Sequence, residues 1–277
     1  MKTFGAALAA ILIAALAGSA FAGVVVEEQQ TIDRGNGQPV THTRKVMIQG
    51  NKQKSVSESG EEMVTDLDAG TVIMVNPAQK AYIEMPFPPK GMASMGGKTT
   101  NLSFKKTGAS KKIAGYSCEE YTGSGSMNGN AYTVKGCFSK SAPGSSEFTA
   151  FQKTMAQKVK GTPMAAMADV PEGVPLELDS STKVTHLPMA NMPADQAAKV
   201  NEMLAKRPPI VTHTMVTKVS SENLSADMFQ PPTGYQKQQM SMMGGMHPGG
   251  MMAHPTTSGP PAGSKAAPTA APTKVPE

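Results

Sequence analysis

The sequence predicts a mainly β (α+β) domain: a curved antiparallel sheet or incomplete β-barrel, with one or two short helices packed on it. Three observations predict it. Short runs rich in β-branched residues recur between Gly, Pro and Asn signals. Only two stretches carry a helical period. The chain ends in a segment with almost no branched apolar residue. The spacing of the runs argues for a meandering antiparallel sheet rather than alternating βα units.

The strand runs are Val24–Ile32, His42–Ile48, Glu61–Leu67, Thr71–Val75, Lys80–Met85, Leu102–Lys106, Lys112–Tyr121, Ala131–Phe138, Leu176–Leu187 and Ile210–Val219. Thr71–Val75 is nearly all apolar, which predicts a central strand covered on both faces. Gly115, inside Lys112–Tyr121, suggests a bulge or a close backbone approach. Tyr116 and Cys118 share a face by period-two alternation.

The first helix is marked by Phe148, Phe151, Met155 and Val159 on one face. Ser145 or Ser146 is placed to cap its start, and Gly161 with Pro163 to stop it. The second spans Pro193–Lys206, with Pro193 suited to the first helical position and Ala197, Val200 and Leu204 on one face. Pro208-Pro209 ends it.

At the front, Lys2, the apolar Leu8–Leu16 and the Ala20-Phe21-Ala22 pattern read as a cleaved signal peptide over residues 1–22. The apolar stretch is shorter than the ~20 residues of a membrane span. The signal implies a periplasmic or secreted protein, and no Cys precedes Cys118, so there is no lipobox. The β-rich domain then covers residues 23–235. Residues 236–277 hold Val275 as their one branched apolar residue, a Met/Pro/Gly/Ala-rich composition that predicts disorder.

Composition narrows the function. The chain has 277 residues, a formal charge of +5, 22 Met, no Trp, eight Phe and five Tyr. It lacks a dense basic patch with stacking aromatics, so nucleic acid is not an expected partner. The modest positive charge suits transient contact with an anionic membrane surface. No G-x-S-x-G, H-E-x-x-H, P-loop or G-x-G-x-x-G motif is present. Adjacent acidic pairs such as Glu119-Glu120 point to opposite faces of a strand. No enzyme and no cofactor are expected.

Cys118 and Cys137 are the only cysteines; in an exported chain they favour a disulfide. The GSGSMNGN stretch between them allows two registers. A four-residue loop, Ser126–Gly129, puts Cys118 opposite Cys137, at disulfide distance. A two-residue Asn128-Gly129 turn pairs Cys118 with Ser139 instead and leaves the cysteines two residues out of line.

Two sets of residues are candidates for binding. Met85, Met92 and Met95 flank a Pro/Gly-rich loop able to act as a lid, and Phe148, Phe151 and Met155 line one helix face. Together they suit an apolar ligand or a lipoprotein, since Met adapts to promiscuous apolar surfaces; the plainer reading is core filler in a chain short of aromatics. The alternative is soft-metal (copper) binding in the tail by Met240, Met242, Met243, Met246, His247, Met251, Met252 and His254, because thioether and imidazole favour Cu(I). His42, His186 and His213 read as ordinary surface or packing residues. Phe229, before Pro231-Pro232, reads as a plug closing one end of the core.

The segment Lys111-Lys112-Ile113-Ala114-Gly115-Tyr116-Ser117-Cys118-Glu119-Glu120-Tyr121 resembles the K-I-A-G-Y-x-C-x-x-Y stretch of an uncharacterised bacterial exported family, a domain of unknown function. Val75–Tyr82, Glu172–Glu177 and Leu224–Tyr235 are similar to that family's other segments. The layout is also similar to the outer-membrane lipoprotein carrier and mycobacterial lipid-binding lipoproteins. That resemblance implies a half-barrel with helices over its concave face and an apolar cavity; the exported family has no established catalytic residues to carry over.

Overall fold

The computed structural model describes residues 23–35, 37–89, 100–127, 130–160, 162, 165, 170–185 and 193–239. The strands are β1 (Gly23–Asp33), β2 (Val40–Gln49), β3 (Lys52–Ser57), β4 (Glu62–Asp66), β5 (Thr71–Asn76), β6 (Ala81–Pro86), β7 (Thr100–Ile113), β8 (Tyr116–Met127), β9 (Asn130–Ser139), β10 (Val174–Lys183), β11 (Ile210–Glu222) and β12 (Gln236–Gln238). Helix α1 (Ser145–Lys158) lies between β9 and β10, and α2 (Ala194–Lys206) between β10 and β11.

Among the described residues, twelve strands form one sheet in the order β12-β6-β5-β4-β3-β2-β1-β11-β10-β9-β8-β7. It is two meanders, β1 to β6 and β7 to β11, joined where β1 pairs antiparallel with β11. Its outermost strands, β12 and β7, do not pair with each other, so the sheet stays open. Every pairing is antiparallel except that of β12 with β6. The mainly β expectation, with an open antiparallel sheet and two helices, holds. β12 uses Gln236–Gln238, just past the expected domain boundary at Tyr235.

The centre of the sheet is covered on both faces. Val24, Val25 and Val26 are all buried, as are Val46, Met47 and Ile48 on β2. Alternation sends Val24, Val26, Val46 and Ile48 to one face, where they pack with Phe151 of α1. It sends Val25 and Met47 to the other, where they pack with Val64, Ile73 and Val75 beneath Leu224 and Phe229. Phe229 is thus a core plug, as read from the sequence. Thr71–Val75 is not the doubly covered strand: β5 lies third from the sheet edge, and Met74 is 39% exposed. Its unbroken apolar run comes from a buried face (Ile73, Val75) alternating with a half-exposed one (Val72, Met74).

Lys112–Tyr121 is likewise not one strand. Ile113 pairs with Tyr116, and Ala114-Gly115 forms the turn between β7 and β8. Both turn residues have positive φ (49° and 88°), the signature of a type I′ hairpin. Gly115 is therefore there for its left-handed backbone, not for a bulge. The polar run Lys52–Ser57 forms β3, a strand that its own composition does not predict; only Ser55 in it is buried.

Both helices form where expected, with different ends. The residue before α1 is Gly144, at φ 69°, and no side chain caps the helix. Pro193 precedes α2 rather than opening it. The first turn of α1 is tied to the β2–β3 turn, because the Gly50 amide donates to the Glu147 carboxylate. The Gly161 and Pro163 stop signal lies outside the described residues.

The cysteines form a disulfide, with S–S 2.06 Å and Cα–Cα 5.3 Å. The register is the tighter of the two: Met127 pairs with Asn130, and Cys137 faces Glu120. Cys118 and Cys137 are therefore diagonal neighbours on one face. Their Cα separation at this end of the hairpin is short enough for the bond. Ser139, fully buried, donates its hydroxyl to the Ser117 carbonyl at 2.7 Å and accepts from the Ala142 amide at 3.1 Å. This fixes the chain as it leaves β9 for α1.

Candidate binding face

The α1 side of the sheet carries a groove of about 310 Å³. Phe148 and Gln152 of α1 form one wall. Val26, Val46, Val174, Pro175 and Leu178 supply apolar surface around it. Tyr132 and Val134 of β9 also line it, and the remaining lining is polar: Gln30, Gln53, Ser180, Thr212 and Thr214, with a Glu28–Arg44 pair. Arg44 donates to one carboxylate oxygen of Glu28 from Nε at 2.7 Å and from Nη2 at 2.5 Å. Glu28 is largely buried, and a buried carboxylate needs such a partner. The groove is amphipathic, not a continuous apolar pocket.

The same face continues toward the β6 edge. Val46 pairs with Ser55, Ser55 with Met63, Met63 with Met74, and Met74 with Ile83. The next row runs Ile48, Gln53, Thr65, Val72, Met85. Beyond the part covered by α1 the face thus presents Met63, Val72, Met74, Ile83 and Met85. Met63 and Met74 are 40% and 39% exposed, and the other three are half-buried. Their neighbours on the opposite face, Val64, Ile73 and Val75, are buried. Period-two alternation therefore divides an apolar stretch between core and surface.

The structure brings some of the expected binding residues together. Met85 lies in the exposed row, and Phe148 lines the groove on the same face. Phe151 is 2% exposed and Met155 packs against the core, so both hold α1 down. Met92 and Met95 lie outside the described residues, as do Met240, Met242, Met243, Met246, His247, Met251, Met252 and His254. Met63 and Met74 were missed. The tight Asp66–Gly70 turn between β4 and β5 was the available signal, since it sets them opposite each other.

Charged pairs shape the surroundings. Asp66 accepts from the amides of Asp68 and Ala69 at 3.0 and 2.9 Å and from the Lys52 ammonium at 2.9 Å. Burial raises its carboxyl pKa, but these donors outweigh that and hold it below the usual range. The Lys153 and Lys140 ammonium groups lower the Glu172 carboxyl pKa, tying the middle of α1 and the turn after β9 to the entry of β10. His42 stands 3.2 Å from Glu58 and His213 2.5 Å from Asp179; His186 lies outside the described residues.

A broad open antiparallel sheet, with one helix-flanked amphipathic groove and an adjoining apolar row, is what the residues define. The chain belongs to the family described as "Domain of unknown function (DUF4412)", whose model matches residues 39–185. No curated protein matches it. Among solved structures it is similar to an uncharacterized conserved protein from Thermus thermophilus, at 9% identity and TM-score 0.42, covering 79% of this chain and 91% of that one. It is also similar to a LolA superfamily protein from Nitrosomonas europaea, at 7% identity and TM-score 0.30, covering 76% and 90%. A DUF1329 family protein from Desulfovibrio piger matches at 8% identity and TM-score 0.30, covering 76% and 91%.

Proposed function

We propose that the protein is an exported, non-catalytic binding protein that holds a single-chain amphiphile, such as the acyl part of a lipid or lipoprotein, on the α1 face of its sheet. The observation that carries this reading is the row of Met63, Val72, Met74, Ile83 and Met85 beside an amphipathic groove. The acyl chain lies along the flexible Met side chains, which adapt to varied apolar shapes. The polar head meets the Glu28–Arg44 pair and the Thr212 and Thr214 hydroxyls. Fully burying a Met contributes roughly 1.5–3 kcal/mol, and these residues are already more than half covered. The row therefore supports weak, exchangeable binding. Export rests on the signal-like residues 1–22.

Native mass spectrometry of the full chain, purified from a bacterial periplasm, tests this. The expected result is a bound amphiphile in the wild type that is lost in Met74→Glu, with circular dichroism unchanged. Protein emerging free of any amphiphile, or equal retention by the variant, contradicts it.

A further inference from the structure

We propose that Glu177, Asp179 and His213 form a divalent-metal site of the Zn²⁺ class, on the sheet face away from the groove. Leu178, Ser180, Thr212 and Thr214 line the groove, so alternation turns Asp179 and His213 to the other side. Asp179 and His213 stand directly opposite each other on β10 and β11. Glu177, two residues before Asp179, shares its face. One ligand atom from each of the three lies within 4.8 Å of the others. Zn²⁺ binds carboxylate oxygen and imidazole nitrogen at ~2.0–2.2 Å, so small side-chain rotations bring all three atoms onto one ion. Two carboxylates and one imidazole suit a borderline divalent ion and leave its outward positions open to water.

A cation already sits at this cluster. The Lys111 ammonium donates to Glu177, and Lys135 stands opposite Asp179 while pairing with Glu120 at 2.9 Å. Two carboxylates this close on one face repel, and the lysines offset that repulsion. A divalent ion does the same while also engaging the imidazole, and it must displace Lys111 to do so. Lys111 is thus a built-in competitor. The bound ion is a staple across β10 and β11, with no role in the groove.

The test is Zn²⁺ titration of the full chain against a chromophoric chelator. The comparison uses wild type, His213→Ala, Asp179→Asn, Lys111→Ala and His42→Ala, each checked for folding by circular dichroism. The expected result is one Zn²⁺ per chain that weakens at least tenfold in His213→Ala and Asp179→Asn. His42→Ala leaves it unchanged, and Lys111→Ala tightens it severalfold. Equal affinity in wild type and His213→Ala, or weaker binding in Lys111→Ala, overturns the proposal.

Discussion

Reducing the Cys118–Cys137 bond isolates one covalent contribution without changing side-chain volume. The bonded cysteines are 19 residues apart. In the chain-entropy treatment a loop of that length restricts the denatured state by about 3 kcal/mol. A domain of this size gains about 5–15 kcal/mol in all, so the bond supplies a sizeable share. The assay is equilibrium urea unfolding with and without a phosphine reductant, followed by far-UV circular dichroism. The reduced chain should unfold at lower urea by that free energy, and its intact mass should rise by two hydrogens. Both sulfurs are buried in the core, so reduction should be slow without denaturant and fast with it. An unchanged midpoint with both thiols free refutes the reasoning, because the link would then constrain nothing the fold does not already hold.

Phe151→Ala should cost about 3–5 kcal/mol, as expected for a buried aromatic, and Phe148→Ala clearly less, since Phe148 is only partly buried; chemical denaturation ranks the two. Gly144→Ala places a Cβ 2.3 Å from Cβ of Val24 at a backbone φ of 69°, so thermal unfolding should show a loss of roughly 2 kcal/mol or more. The folded-state pKa of Asp66 is lowered, so its ionised form stabilises the fold above the unfolded value of ~3.9. That contribution disappears as pH falls through the folded value. Asp66→Asn should therefore lower stability near neutral pH and flatten its acid dependence in urea titrations between roughly pH 2 and 5.

The existence of a strand was legible where a run ended in clear turn residues, as in Thr71–Val75 and Ala131–Phe138, although the unbroken apolar run of Thr71–Val75 concealed its half-exposed face. It misled where the turn was short or polar. Ala114-Gly115 looked like the middle of a strand because Lys112–Ile113 and Tyr116–Tyr121 are both strand-like. Only the positive φ at both positions distinguishes a hairpin there. β3 stayed hidden because Lys52–Ser57 is a polar strand whose pairing comes from β2 and β4, not from its own composition. The buried side chains of α1 were readable from helical spacing. The Met63–Met74 contact and the Asp179–His213 pair were not, because each depends on register between strands. The sequence also left the hairpin between the cysteines in two registers; the backbone takes the tighter one and still closes the bond across a diagonal.

Oxidative footprinting of methionines, with and without lysophosphatidylethanolamine, tests the central claim most directly. Met63 and Met74 are 40% and 39% exposed on the proposed face, while Met203, 60% exposed on α2, serves as the reference. The amphiphile should protect Met63, Met74 and Met85 from sulfoxide formation and leave Met203 as reactive as before. Unchanged oxidation at Met63 and Met74, or protection that falls equally on Met203, contradicts it.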